Sequence, residues 1–391
     1  MPQHDGDPSG AAVGKYFDYN GSTPLDPRVQ ALCRSLMEAP WGNSAAPHPT
    51  GRAASALVEE ARGKLAEALG ASPGEVYFTS GGTESNNWAL FSSARGRRSG
   101  HLVTTAIEHK SVLQSALELR ERGFDLTLVE PRSDGAVHLR DLQGALRDDT
   151  FLVSVMWANN ETGVCQPVRE IGSLCRKRGV RFHCDAVAAM GKLRIDLREV
   201  PCDLLSLSAH KFHAPKGVGA LYVREGVELP PLHFGCGHQG GLRSGTENTL
   251  GVVAMAEAAR LATTGQFGSQ SSLEHRRQQL WNGIRERFPE AQRNGAGGML
   301  PNTLSVHFPG LSARRLQEEL GEHGFSVAAG ASASQGTPSH VLLAMGFSAE
   351  RASQSLRFSL GHPTTAEDVD ALLEAMPIAI EAVRGAAPLA R

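Results

Sequence analysis

Short apolar runs rich in β-branched and aromatic residues recur along the first half of the chain, separated by amphipathic stretches. They fall at Val76–Thr79, Leu102–Thr105, Leu126–Val129, Phe151–Met156 and Val180–Cys184. Strand-like runs alternating with helix-like runs predict a mostly parallel sheet covered by helices on its faces. The runs Leu204–Leu207 and Val218–Val223 are too close for a crossover helix, so they predict an antiparallel pair. Before the first strand, Leu57, Ala61, Leu65, Ala68 and Leu69 follow helical spacing within Arg52–Leu69, and Gly70 suits the C-cap. A helical stretch at Asn248–Thr263 and a Gly- and Ser-rich linker at Gly265–Ser272 close this region. Beyond it come a charged helix (Leu273–Phe288), short strands at Thr303–Phe308 and Leu356–Leu360, and a helix from Ala366 onward. The expected division is a flexible leader (1–14), a large α/β domain (15–264) and a smaller α+β domain (265–391) joined by the N-terminal segment.

Composition narrows the classes without naming a function. The 391 residues are 41% hydrophobic and 20% charged, with 39 Lys and Arg against 41 Asp and Glu. That balance gives no electrostatic reason to expect nucleic acid or a membrane surface. No apolar run reaches the roughly 20 residues of a membrane span, and the polar, acidic N-terminus does not read as a signal peptide. Six cysteines, at positions 33, 165, 175, 184, 202 and 236, contain no CxxC pair. Their irregular spacing argues against a zinc knuckle or disulfide framework and points to a reducing cytoplasm.

Chemistry enters at the strand ends. The strand Asp203–Leu207 runs directly into Ser208-Ala209-His210-Lys211. A lysine beside a buried strand is costly to keep charged, and a desolvated lysine is what Schiff-base chemistry requires. Taken alone, Lys211 reads equally as a solvated lysine just past a strand. Asp185 ends another apolar strand, where an unpartnered carboxylate is expensive and a pyridinium nitrogen is a natural partner. Gly81-Gly82-Thr83 opens a helix, and N–H groups at a helix N-terminus make an anion site. His210 and His213 have metal-ligand spacing but no third ligand nearby.

With those three features in order, the sequence resembles the cysteine desulfurase and selenocysteine lyase group of class V aminotransferase-like enzymes, from Tyr16 to about Leu373. The resemblance rests on Phe78-Thr-Ser-Gly-Gly-Thr-Glu-Ser-Asn86, Glu108-His109, Ala158-Asn-Asn-Glu-Thr-Gly163, His183-Cys-Asp-Ala186 and Ser208-Ala-His-Lys211. It continues through Leu242-Arg-Ser-Gly-Thr-Glu-Asn248, Pro338-Ser-His-Val-Leu342 and Leu356-Arg-Phe-Ser-Leu-Gly361. It implies the fold-type I architecture, with a mostly parallel seven-stranded sheet, the cofactor pyridoxal 5'-phosphate (PLP) and a homodimer. It further implies a small amino-acid substrate and a sulfur-acceptor protein. By the resemblance, Lys211 holds the cofactor and shuttles the substrate Cα proton, His109 stacks on its ring, and Asp185 pairs with the ring nitrogen. Asn160 bonds the ring hydroxyl. Gly82, Thr83, Ser208 and His210 take the phosphate, joined by Thr246 from the other subunit. Arg357 clamps the substrate carboxylate, with Asn20 on the substrate side.

The sequence departs from this group at the sulfur-handling loop. Where the family has Gly-Ser-Ala-Cys, this chain reads Gly330-Ala331-Ser332-Ala333, with Ser334 in an alternative register. Neither side chain replaces a thiolate, and no cysteine follows Cys236. Three changes lie near the expected site: Ala188 in place of a glutamine, Tyr19-Asn20-Gly21-Ser22 in the early segment, and Gly235-Cys236-Gly237-His238-Gln239 in a glycine-rich loop. Cys236 therefore reads either as a relocated sulfur acceptor with His238 as its base, or as a small residue in a turn. Three activities follow: a desulfurase giving alanine and persulfide sulfur, a C–S or C–Se β-lyase giving pyruvate, ammonia and sulfide, or a PLP-binding chain that is inactive or halted by loss of the loop cysteine.

Overall fold

The computed structural model describes residues 15–38, 41–330 and 337–385. The leader 1–14 and Ala333 with its neighbours (331–336) lie outside the described residues. A seven-stranded sheet runs in the order Val76–Thr79, Gly219–Val223, Leu204–Ser208, Arg181–Asp185, Thr150–Met156, His101–Thr105, Asp125–Val129. Pairing is parallel from Leu204–Ser208 to Asp125–Val129. It is antiparallel between Leu204–Ser208 and Gly219–Val223, the pair that the short spacing predicts. Val76–Thr79 adds to the far side of Gly219–Val223, also antiparallel. Every residue of the strands Thr150–Met156, Leu204–Ser208 and Gly219–Val223 is buried, because helices cover both faces of the sheet.

The helix over the first strand starts earlier than its apolar spacing suggests, at Pro49. His48 is its N-cap, with Nδ1 accepting the Gly51 N–H, and proline suits the first helical position. It ends at Leu69 on Gly70, whose φ of 68° is the left-handed conformation glycine tolerates. The charged helix likewise runs over Gln270–Arg287, absorbing the end of the expected linker. Ser269 caps it by accepting the Ser272 N–H, so serines that read as linker form the cap and first turn.

A second, four-stranded antiparallel sheet orders Ala328–Ala329, Ser355–Ser359, Thr303–His307 and Gln292–Arg293. Its core includes Trp281, Leu304, Phe358 and Leu373, separate from the core about the large sheet. Phe17 belongs to this second core. The N-terminal segment pairs Lys15–Tyr16 with Phe325–Ser326, and the Ser359 N–H donates to the Phe17 carbonyl at 2.7 Å. It then turns toward the large sheet, where the Thr23 N–H donates to the His210 carbonyl at 2.9 Å. This strap, Tyr16–Asp26, thus ties the second sheet to the turn that carries Lys211. Among the described residues no helix is long and apolar enough to cross a membrane.

Candidate active site

In open α/β sheets the carboxyl ends of the parallel strands are where ligand-binding side chains gather. Here Met156, Asp185 and Ser208 end three adjacent strands. With the helix Gly82–Ala94, the lysine turn, the strap and Arg357 of the second sheet, they enclose a cavity of about 250 Å³. Asn20, Gly82, Thr83, His109, Asn160, Asp185, Ser208, His210, Lys211 and Arg357 all line it. Sequence positions spread over more than 300 residues are therefore brought to one place.

The cavity floor is a connected polar chain. Asp185 is buried, and its Oδ1 accepts the Val187 N–H at 2.9 Å while its Oδ2 accepts from Asn86 Nδ2 at 2.7 Å. Asn86 Nδ2 also donates to Ser111 Oγ at 2.8 Å, and Ser111 Oγ lies 2.8 Å from His109 Nδ1. His109 Nδ1 accepts the Ser111 N–H as well, which puts the neutral ring's proton on Nε2. Burial pushes the His109 pKa down, against the pull of the Asp185 carboxylate. One side of the floor is therefore a carboxylate acceptor and the other an aromatic ring. Asn86 and Ser111 were not among the residues singled out from sequence. The available signal was helical spacing: Asn86 stands four residues after Gly82 and so shares its helix face.

Gly82, Thr83 and Glu84 form the first turn of the helix, whose N–H groups have no intrahelical acceptors. A Cβ on Gly82 would come 2.7 Å from Val187 Cγ2, so only glycine lets this backbone lie against the strand end. A Cβ on Gly219 would sit 2.6 Å from the Gly81 Cα, so the neighbouring strand also needs a bare backbone here. His210 is pushed down to about 4, first by burial and then by the positive charge of Lys211. It faces Ser22, with Nδ1 3.2 Å from the hydroxyl.

Lys211 Nζ donates to the carbonyls of Asn20 at 2.6 Å and Gly21 at 2.8 Å. Its pKa is pushed down to about 8, chiefly by burial and then by Arg357. A second buried lysine, Lys192, donates to the carbonyls of Ala188 at 3.2 Å and Lys211 at 3.3 Å, and burial lowers it to about 7. It braces the lysine turn from behind. Glu108 is fully buried beside His109: Oε1 accepts from Thr105 and from the Met156 N–H, while Oε2 has no partner among the described residues. Burial raises this carboxyl to about 8, so it is protonated at neutral pH.

The structure adds detail to three of the residues read from sequence. Asn20 lines the cavity, but its amide is held by the Asn160 carbonyl, Thr303 and Asn302, and only its own carbonyl reaches Lys211. Arg357 meets the Asn160 carbonyl and Asp18, a carboxylate of the N-terminal strap. Cys236 and Thr246 are both exposed and lie away from the cavity of their own chain. Among the described residues neither ring nitrogen of His238 has a hydrogen-bond partner, so it is not paired with Cys236.

Residues 15–372 match the family model for class-V aminotransferases. The cysteine desulfurase IscS of Clostridium botulinum is 39% identical over 381 residues, 96% of each chain. A solved NifS-like protein superposes with a TM-score of 0.89 at 38% identity, covering 94% of this chain and 99% of its own. The structure of SspA in complex with cysteine gives a TM-score of 0.80 at 35% identity, over 90% and 100% of the two chains. This chain belongs to the class-V aminotransferase family, as a cysteine desulfurase-like member of a family that works with PLP.

Proposed function

We propose that the cavity binds PLP on Lys211 and cleaves the C–S bond of L-cysteine or a close analogue, releasing alanine and passing sulfur to a thiol. The observation that carries this reading is the convergence of Lys211, Asp185, His109 and Arg357 on one buried cavity. The residues present fit the cofactor. The Gly82–Thr83 helix start, Ser208 and His210 offer neutral donors for a phosphate. Asp185 offers a carboxylate for a ring nitrogen, His109 a ring face, and Asn86 Oδ1 is a buried acceptor without a partner among the described residues. Bound PLP supplies an electron sink that stabilises charge developing on the substrate Cα.

The chain's own groups do the rest. Asp185, held in place by the Val187 N–H and Asn86 Nδ2, would pair with a ring nitrogen lying opposite it. Lys211, with its lowered pKa, takes and returns the Cα proton near neutral pH. Arg357 orients the substrate by its carboxylate, which suits a planar guanidinium fork. The two cores support two working parts, 15–264 and 265–391, joined by the strap and also by Phe267, Val341, Leu342, Met345 and Ala352, which pack into the first core. Thr246 and Cys236 lie outside their own cavity, which fits a dimer in which each serves the site of a second copy.

Of the six cysteines only Cys236 is exposed. Burial raises Cys165 to about 11 and Cys175 to about 12 and pushes Cys33, Cys184 and Cys202 upward as well. If a thiol of this chain accepts sulfur, it is therefore Cys236, and six free cysteines suit a reducing cytoplasm. A second reading, β-elimination to pyruvate, ammonia and sulfide, is favoured by Cys236 standing outside the cavity of its own chain. Product analysis with L-cysteine separates them. Alanine with protein-bound persulfide, lost in Cys236→Ser, supports the first reading. Pyruvate and free sulfide, unaffected by Cys236→Ser, support the second.

A further inference from the structure

We infer that Asp18 is a positioning residue that holds Arg357 until the substrate carboxylate arrives, and that by competing for this guanidinium it sets how tightly amino acids bind. The inference rests on the reading of Arg357 as the carboxylate site. Arg357 has only 2% of its side chain exposed, so its charge is almost wholly desolvated and requires a partner. Asp18 is that partner, pairing through Oδ1 with Arg357 Nη2, while Nη1 donates to the Asn160 carbonyl. Nε of Arg357 is buried and has no partner among the described residues. A substrate carboxylate that engages this fork thus meets a guanidinium whose Nη2 already serves a resident carboxylate. Bidentate binding through Nε and Nη2 brings a second carboxylate onto the nitrogen that Asp18 holds, and the two compete for it.

The same carboxylate shapes the cradle of Lys211. The Gly21 N–H donates both to the Asp18 carbonyl at 2.9 Å and to Asp18 Oδ1 at 3.2 Å. Tyr16 braces the turn from outside, its hydroxyl 2.9 Å from the carbonyls of both Asp18 and Ser22. The carbonyls of Asn20 and Gly21, which hold Lys211 Nζ, are thereby fixed by the turn that presents Asp18. Glycine at position 21 is part of the device. A Cβ there would lie 2.3 Å from Asp18 Oδ2, so any larger residue drives the carboxylate off its seat. One short turn therefore carries the counter-ion of the substrate arginine and the acceptors of the lysine.

The test titrates the PLP-loaded protein with L-alanine, which bears a carboxylate, and with cysteamine, which has none, following the cofactor absorbance. In Asp18→Asn the dissociation constant for L-alanine falls about tenfold, the size of one lost charge competitor, and that for cysteamine stays unchanged. Gly21→Ala, which leaves every charge in place but displaces Asp18, shifts L-alanine in the same direction by a smaller factor. It also serves as the deciding variant should Asp18→Asn fail to fold. A protein that loads PLP and binds L-alanine with unchanged or weaker affinity in the variants overturns the role of Asp18. A wild-type protein that takes up no PLP, or binds L-alanine no better than cysteamine, overturns the reading of the site beneath it.

Discussion

The cavity floor and the exposed loop around Cys236 both descend from motifs visible in the sequence, yet they differ in how completely one chain builds them. Asp185, Asn86, Ser111 and His109 form a continuous hydrogen-bonded chain at the ends of buried strands. Around Cys236, Phe234 is 70% exposed, and the buried ring nitrogens of His238 have no hydrogen-bond partner among the described residues. A buried polar network is costly unless every member is placed, so its geometry is fixed by the fold. The loop around Cys236 is pinned within the chain mainly beside the thiol, where Ser244 Oγ donates to the Cys236 carbonyl and Arg62 and the Phe78 N–H donate to the buried Gln239. The Cys236 side chain itself is left exposed. On the proposed reading, one chain builds most of the cofactor site, whereas the route of sulfur depends on what meets the loop around Cys236.

That contrast is sharpest for the lysine. Lys211→Ala is expected to abolish both turnover and the absorbance of lysine-bound cofactor, measured on protein of unchanged circular dichroism. Asp185→Asn should still bind PLP but lose turnover by about a hundredfold or more, on the scale of general acid–base and electrostatic contributions; steady-state kinetics check it. Cys236→Ser, by contrast, should leave cofactor loading untouched and lower alanine production about tenfold, with loss of bound persulfide by mass spectrometry. Equal damage to loading in Cys236→Ser would erase the distinction between the two regions.

Smaller effects follow from titration. PLP is captured only by the neutral amine, and Lys211 loses its proton near pH 8. The initial rate of PLP uptake by the cofactor-free protein should therefore rise about tenfold between pH 7 and 9 and then level off, whereas an ordinary lysine keeps gaining beyond pH 10. For Glu108 the folded carboxyl lies near 8, above its ordinary value of 4.5. Its stabilising contribution is complete below about pH 4.5 and is lost as pH rises through 8. Glu108→Gln should therefore flatten the fall in melting temperature across that window, with little effect on turnover at pH 7.

Much of the large sheet was legible because fully buried strands leave uninterrupted apolar runs, as at Phe151–Met156 and Leu204–Leu207. Lys211 and Asp185 stood out because each follows such a run, where a charge is conspicuous. Helix starts were less legible: the caps at His48 and Ser269 depend on side-chain hydrogen bonds that apolar spacing does not record. Asn86 and Ser111 were missed because their roles exist only between elements, 25 residues apart in sequence and 2.8 Å apart in space. Asp18 was missed for the same reason, since its partner Arg357 lies 339 residues away. Asn20 was legible as a site residue only in part, because its main-chain carbonyl, and not its amide, faces Lys211.

In the proposed site Lys211, and not the more deeply buried Lys192, carries the cofactor. Borohydride reduction of the PLP-loaded protein, followed by peptide mapping, tests it directly. A pyridoxyl adduct is expected on the peptide containing Lys211 and none on Lys192. An adduct on Lys192, or reduced protein with no lysine modified, would contradict it.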